Sequence, residues 1–190
     1  MASLQDIRRR VASVQNMRKI TRAMEMVSAA KLRRAQTRIL EARPYAAALE
    51  AVLRSLASRV ASHRHELLVE RPERAVTLVV VTADKGLCGS FNANLLREAT
   101  SLLEGGRWEK VELVLVGRRG IEFFRRRSYP TVAVYPELMH TVAPDAAFEL
   151  ARSLAGRFAA GETDAIYLLN NHFRSIMRQE VTLERLLPIE

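Results

Sequence analysis

Cysteine is nearly absent from this 190-residue chain: Cys88 stands alone. A single thiol excludes an internal disulfide and fits a reducing compartment. Aromatic residues make up 6% of the chain, with Tyr45 the single one in residues 1–60, and no glycine occurs before Gly86, so the first third offers one stacking platform and no glycine turn. No uncharged apolar run approaches the eighteen residues that a membrane-spanning helix needs. The N-terminus reads MASLQDIRRR, with arginines but no apolar h-region, so no secretory signal is evident. Internal repeats and low-complexity tracts are missing too.

What is present is charge, unevenly placed. The chain carries 30 Lys and Arg against 21 Asp and Glu, a net +9. Residues 1–60 hold 13 − 4 = +9, and residues 61–190 hold 17 − 17 = 0. Such a split suggests an acidic partner for the first segment: nucleic acid, a membrane surface or an acidic protein collar. The plainer alternative is a solvated, Arg-rich helix face. Arginine outnumbers lysine 26 to 4, which reads as coding bias or heat adaptation.

The same segment has a helical period. Leu4, Ile7, Val11 and Val14, then Leu32, Ala35, Ile39, Ala42, Ala46, Leu49, Leu53, Leu56 and Val60, step by threes and fours, the seam of a coiled coil. Between the two runs the seam slips to Met17, Ile20, Met24 and Val27, as a nearly straight helix drifts against a 3.5-residue repeat. Pro44 removes a backbone donor, so a kink or joint is expected near Arg43. A helix over residues 1–62 would be roughly 90 Å long. It needs another helix against its stripe, or it folds back at Pro44 as a hairpin. Met17, Met24 and Met26 around the slipped seam suit an adaptable surface, although core filling is the commoner use of methionine.

After a polar connecting segment, residues 63–74, the period changes. Strands are expected at Thr77–Thr82, Val111–Val116, Thr131–Tyr135 and Ala165–Asn170, with a fifth at Arg178–Leu183. Helices are expected at Asn92–Leu103, Gly120–Arg127 and Pro144–Phe158, stopping at Gly105-Gly106 and Gly161. Alternation of this kind implies an α/β fold over residues 75–190, a Rossmann-like and mostly parallel sheet with helices on its faces.

Chemistry is harder to find. Asp84-Lys85-Gly86-Leu87-Cys88-Gly89-Ser90 follows the first strand and opens a helix, where α/β folds place phosphates. It matches neither a Walker loop nor a dinucleotide fingerprint. Cys88 at a helix start could be a nucleophile, yet His63, His65, His140 and His172 lie in no motif that supplies a base. A buried structural thiol is the expected reading. His63-Arg64-His65 lacks metal-ligand spacing, and Arg118-Arg119 with Arg125-Arg126-Arg127 reads as a solvated face rather than a phosphate site. No catalytic constellation, cofactor site or metal site emerges.

Three stretches carry a resemblance. MRKITRAMEMVSAAKLRRAQ (Met17–Gln36) with Arg43-Pro44-Tyr45, TADKGLCGSFNANL (Thr82–Leu95), and IYLLNNHFRSIMRQEVTLERLLPI (Ile166–Ile189) resemble, in collinear order, the γ subunit family of F-type ATP synthases. Lys85 stands where that family usually has Arg; Asp84, Gly86, Cys88 and Gly89 match its signature loop. The resemblance implies a non-catalytic central-stalk subunit that couples proton flow to ATP synthesis. It implies the α3β3 hexamer, the epsilon subunit and the c-ring as partners. It also implies peripheral placement on the cytoplasmic side of a bacterial membrane, with no cofactor, metal or nucleic acid. By match to the signature, Met24, Met26, Lys31, Arg33 and Arg34 are expected to contact the ring. Family members continue past the Leu-Leu-Pro segment into a C-terminal helix, so a fragment is expected, with a split gene or a non-working remnant as alternatives. The competing functions are a nucleic-acid-binding protein with a basic arm and a small enzyme using Cys88.

Overall fold

The computed structural model describes residues 3–59, 65–138, 144–175 and 178–189. Val60, His63, Arg64 and His140 lie outside the described residues. The chain divides into two compact units, Met1–Leu53 and Arg54–Glu190.

The first unit is helix. α1 runs from Leu4 to Arg59, 56 residues, roughly 84 Å at 1.5 Å per residue. A reciprocal box starts it: Asp6 N–H donates to Ser3 Oγ at 3.3 Å and Ser3 N–H to Asp6 Oδ2 at 3.2 Å. Two otherwise orphaned donors are thereby satisfied. The helix continues through Pro44 without interruption, so the chain does not turn back there, and the hairpin alternative is corrected. A proline deletes one donor and crowds one carbonyl, and Ala-, Leu- and Arg-rich turns on either side sustain the ladder across that gap. Its described side chains are exposed, apart from the half-buried Gln36. The apolar seam is therefore open to solvent, from Leu4 and Ile7 through Met24 to Leu53 and Leu56.

The second unit is an α/β sandwich. Its strands are β1 (Ala75–Val81), β2 (Lys110–Val116), β3 (Thr131–Tyr135), β4 (Ala165–Phe173) and β5 (Gln179–Leu187). Its helices are α2 (Phe91–Glu104), α3 (Arg118–Phe124) and α4 (Pro144–Ala159). A short 3-10 turn covers Glu66–Leu68. The sheet order is β3-β2-β1-β4-β5. The first four strands are parallel and β5 returns antiparallel to β4. Parallel pairing buries both faces, and alternation sorts the side chains. Val76, Leu78 and Val80 of β1 join Leu113 and Leu115 against Leu95, Leu96 and Phe124 of α2 and α3. Val79, Val114, Val116 and Ile166 face Leu154 and Phe158 of α4 on the other side.

One strand switches faces. Val181 and Leu183 pack with the α2–α3 layer, yet Leu187 packs with α4. The register slips between Ile166 and Tyr167, opposite Leu187 and Arg185, and one inserted residue turns the later side chains over.

At the N-terminal ends of the strands Glu73 gathers Tyr167 OH (2.8 Å to Oε1), Trp108 Nε1 (3.3 Å) and Arg185 Nη1 (3.4 Å). Arg107 lies over both the Trp108 and Tyr167 rings. Burial alone would raise the Glu73 pKa. The hydrogen bonds from Tyr167, Trp108 and Arg185, with the Arg185 charge, outweigh it and hold the carboxyl below its ordinary 4.5.

Candidate functional site

The connection from β1 to α2 sits at the carboxyl end of the sheet, where the strand order reverses between β1 and β4. In open α/β sheets that switch point is the usual binding crevice. Two glycines let the chain close up beneath it. Gly117 takes φ +90°, and a Cβ there would lie 2.1 Å from the Thr82 carbonyl oxygen, so only glycine lets β2 turn into α3 this close to β1. Gly120 permits the next approach: its N–H donates to Thr82 Oγ1 at 2.8 Å, while that hydroxyl donates to the Val116 carbonyl at 3.0 Å. Thr82 is buried and fully engaged.

Above this floor the loop is held by two side chains. Asp84 Oδ1 accepts the Arg118 N–H at 3.1 Å and the Glu137 N–H at 3.3 Å, joining the loops that follow β1, β2 and β3. Arg118 and Glu137 are themselves ion-paired. Asn92, at the start of α2, accepts the Ala83 N–H at 3.0 Å and donates its amide to Cys88 Sγ at 3.1 Å. One asparagine thus pins both ends of the loop. Between the pins, Lys85, Gly86, Leu87, Cys88 and Gly89 are exposed. Leu87 takes φ +61° and is 98% exposed.

Cys88 is exposed, not the buried structural thiol the sequence pointed to. The reason is tertiary. Its backbone lies in a loop lifted off the sheet, so its environment is set by the Asn92 tie rather than by the apolar β1 run. Its hydrogen-bond partners are the Asn92 amide and the Lys85 carbonyl, neither of which is a base. The sulfur has no partner with which to run nucleophilic chemistry as placed. Among the described residues no group of three His, Cys, Asp or Glu could hold a metal ion. A groove of about 380 Å³ opens between α4 and the sheet. Its lining, from Val79 and Val81 to Leu150 and Leu187, is wholly apolar, with no polar group to orient a substrate.

A family model described as ATP synthase matches residues 3–190. The ATP synthase gamma chain of Desulfitobacterium hafniense is 45% identical over 190 residues, covering 100% of this chain and 67% of the relative. The gamma chain of Anaeromyxobacter dehalogenans strain 2CP-C is 43% identical, covering 100% and 68%.

The chain belongs to the ATP synthase gamma-chain family.

Solved structures agree. The central stalk and c-ring structure of the Tetrahymena thermophila mitochondrial ATP synthase contains a chain similar at TM-score 0.67 and 27% identity. That match covers 89% of this chain and 72% of the other. A chain of the Euglena gracilis mitochondrial rotor shares the fold at TM-score 0.60 and 15% identity, with 95% and 61% covered. The chain spans about two thirds of the length of the curated gamma chains it matches.

Within this gamma-type frame the signature residues fall into two places. Asp84, Lys85, Gly86, Cys88 and Gly89 come together in the pinned loop. Met24 and Met26 on α1 are 53% and 63% exposed, and Lys31, Arg33 and Arg34 are exposed as well. These five share no single face. At about 100° per residue, Met24 and Lys31 lie on one side and Met26 and Arg33 on the opposite side, with Arg34 between. They are a collar around a helix, not a pocket. Sequence reasoning missed the Asp84 and Asn92 ties, which no local pattern signals. It also missed the Ser3–Asp6 box, whose S-x-x-D spacing was in plain view.

Proposed function

We propose that this chain is a rotor element of an F-type ATP synthase, whose long helix serves as half of the central shaft and whose α/β unit serves as its foot. The observation that carries the reading is α1: 56 residues of helix with their coiled-coil seam exposed. A seam of that length is stable only against another helix or inside a surrounding assembly. Gamma-chain kinship supplies both, a second helix in the family and a ring of α and β subunits around the pair.

In this reading the chain performs no chemistry. Rotation arrives at the foot from the c-ring, and the shaft transmits it to nucleotide sites that belong to the ring. The collar of Met24, Met26, Lys31, Arg33 and Arg34 meets the inner wall of the ring. Arginines grip acidic loops by charge, and the polarizable, unbranched methionines tolerate a surface that slides past. The net +9 of residues 1–60 then faces an acidic wall, which speeds assembly and weakens with salt. The protein works peripherally at the cytoplasmic face of a bacterial membrane; no described helix is long and apolar enough to cross one.

The test is reconstitution with α and β subunits of the Desulfitobacterium hafniense enzyme. We expect the chain to co-elute with the α3β3 assembly and to hydrolyse no ATP alone. An Arg33→Glu/Arg34→Glu variant should bind about tenfold more weakly. If no binding is seen even when the relative's remaining residues are fused after Glu190, the rotor reading is wrong.

A further inference from the structure

The α/β unit has its own concentration of positive charge, remote in sequence from the helix that carries the stalk reading. A cleft of about 490 Å³ lies between α2 and α3, lined by Asn92, Leu96, Phe123, Glu122 and the four arginines Arg119, Arg125, Arg126 and Arg127. Arg119 is paired with Glu122 at 3.0 Å, and Arg127 stacks on Phe123, its guanidinium carbon 3.5 Å from the ring centroid. Arg125 and Arg126 are exposed, and no described carboxylate pairs with either. The unit as a whole is close to neutral, so this is a local accumulation and not the general charge of the chain.

The geometry points to a docking surface in this cleft for an acidic polypeptide segment that carries one apolar side chain. Guanidinium forks match carboxylates two bonds at a time, and the arginines here share the cleft with the buried Leu96 and the half-buried Phe123. Arginines and apolar side chains lining one cleft fit a peptide that alternates charge with an anchor. Nucleic acid fits less well. Arg127 already covers the Phe123 face on which a base would stack, and α3, seven residues long, is too short to read a groove. A membrane surface would need exposed apolar side chains beside the arginines, and in the cleft Leu96 is buried and Phe123 half-buried. The inference stands apart from the stalk reading, because α1 takes no part in it.

The experiment uses the full chain and two fluorescein-labelled peptides, one all glutamate and one with a central phenylalanine, followed by anisotropy at about 0.15 M salt. We expect the phenylalanine peptide to bind more tightly. Arg125→Glu/Arg126→Glu should weaken it at least about tenfold, while Arg8→Glu/Arg9→Glu on α1, an equal change of charge, should weaken it less than about twofold. Phe123→Ala should abolish the advantage of the phenylalanine peptide. Unchanged Trp108 emission confirms that each variant remains folded. Equal losses from the two charge reversals would overturn the proposal in favour of diffuse attraction. So would tighter, Arg125-dependent binding of polyuridine or of phosphatidylserine vesicles, which would assign the cleft to a nucleic acid or a membrane.

Discussion

Gly117→Ala should be among the most damaging single methyl groups that can be added to this protein. Alanine at φ +90° costs about 1–2 kcal/mol before any contact is counted. Its Cβ would stand 2.1 Å from the Thr82 carbonyl oxygen, where carbon and oxygen ordinarily rest about 3.3 Å apart. The β2–α3 turn must therefore retreat from β1 by about an ångström, at about 1–3 kcal/mol for such a shift in a packed core. The Gly120 N–H to Thr82 Oγ1 bond is stretched with it, for about 1 kcal/mol more. The sum, about 3–6 kcal/mol, is comparable with the whole stability of a domain of this size. Trp108 is the one tryptophan, buried in the α/β unit, so urea titration of its fluorescence reads that unit without interference from α1. At a slope of about 2 kcal/mol per M the midpoint should fall by about 1.5–3 M. Gly156→Ala is the matched control. A methyl group there would meet nothing within 4 Å, and the position lies in α4, so the midpoint should rise by the equivalent of about 0.5–1 kcal/mol. A fall of under about 0.5 M for Gly117→Ala would show that the close approach at Thr82 is not what orders this end of the sheet.

Pro44→Ala restores a donor inside α1 and should stabilise the helix by about 3 kcal/mol, seen as a later loss of ellipticity at 222 nm on heating; an earlier loss would mean that the proline shapes a bend the helix needs. Because the Glu73 pKa is lowered in the folded chain, its contribution is fully present above the ordinary value of 4.5 and is lost as pH falls through the folded-state pKa. Urea midpoints should therefore drop below pH 4.5 more steeply in the parent than in Glu73→Gln, and parallel pH profiles would refute the assignment. Cys88 is exposed, so dithiobis-nitrobenzoate should titrate one thiol per chain without denaturant. Reaction only after unfolding would return Cys88 to the core.

How much of this was legible beforehand depended on the range of the forces involved. The α1 helix followed from period and composition, because helix bonds close four residues apart and every residue between Leu4 and Arg59 reports on them locally. Strands β1 to β4 and helices α2 and α4 followed from apolar runs broken at Gly105, Gly117 and Gly161, for the same reason. Gamma-chain kinship rested on three collinear motifs, and residue identity alone carried it. Where two distant segments meet, the sequence was silent or misleading. The uninterrupted course of α1 past Pro44 depends on the strength of turns on both sides, which a single proline does not reveal. The reversal of β5 and its change of face near Leu187 depend on pairing with β4, and the exposure of Cys88 on a loop raised above β1. Asp84 joins three loops, 34 and 53 residues away along the chain. Such a tie is invisible to any local pattern, because only the folded sheet brings the ends of β1, β2 and β3 within hydrogen-bond reach.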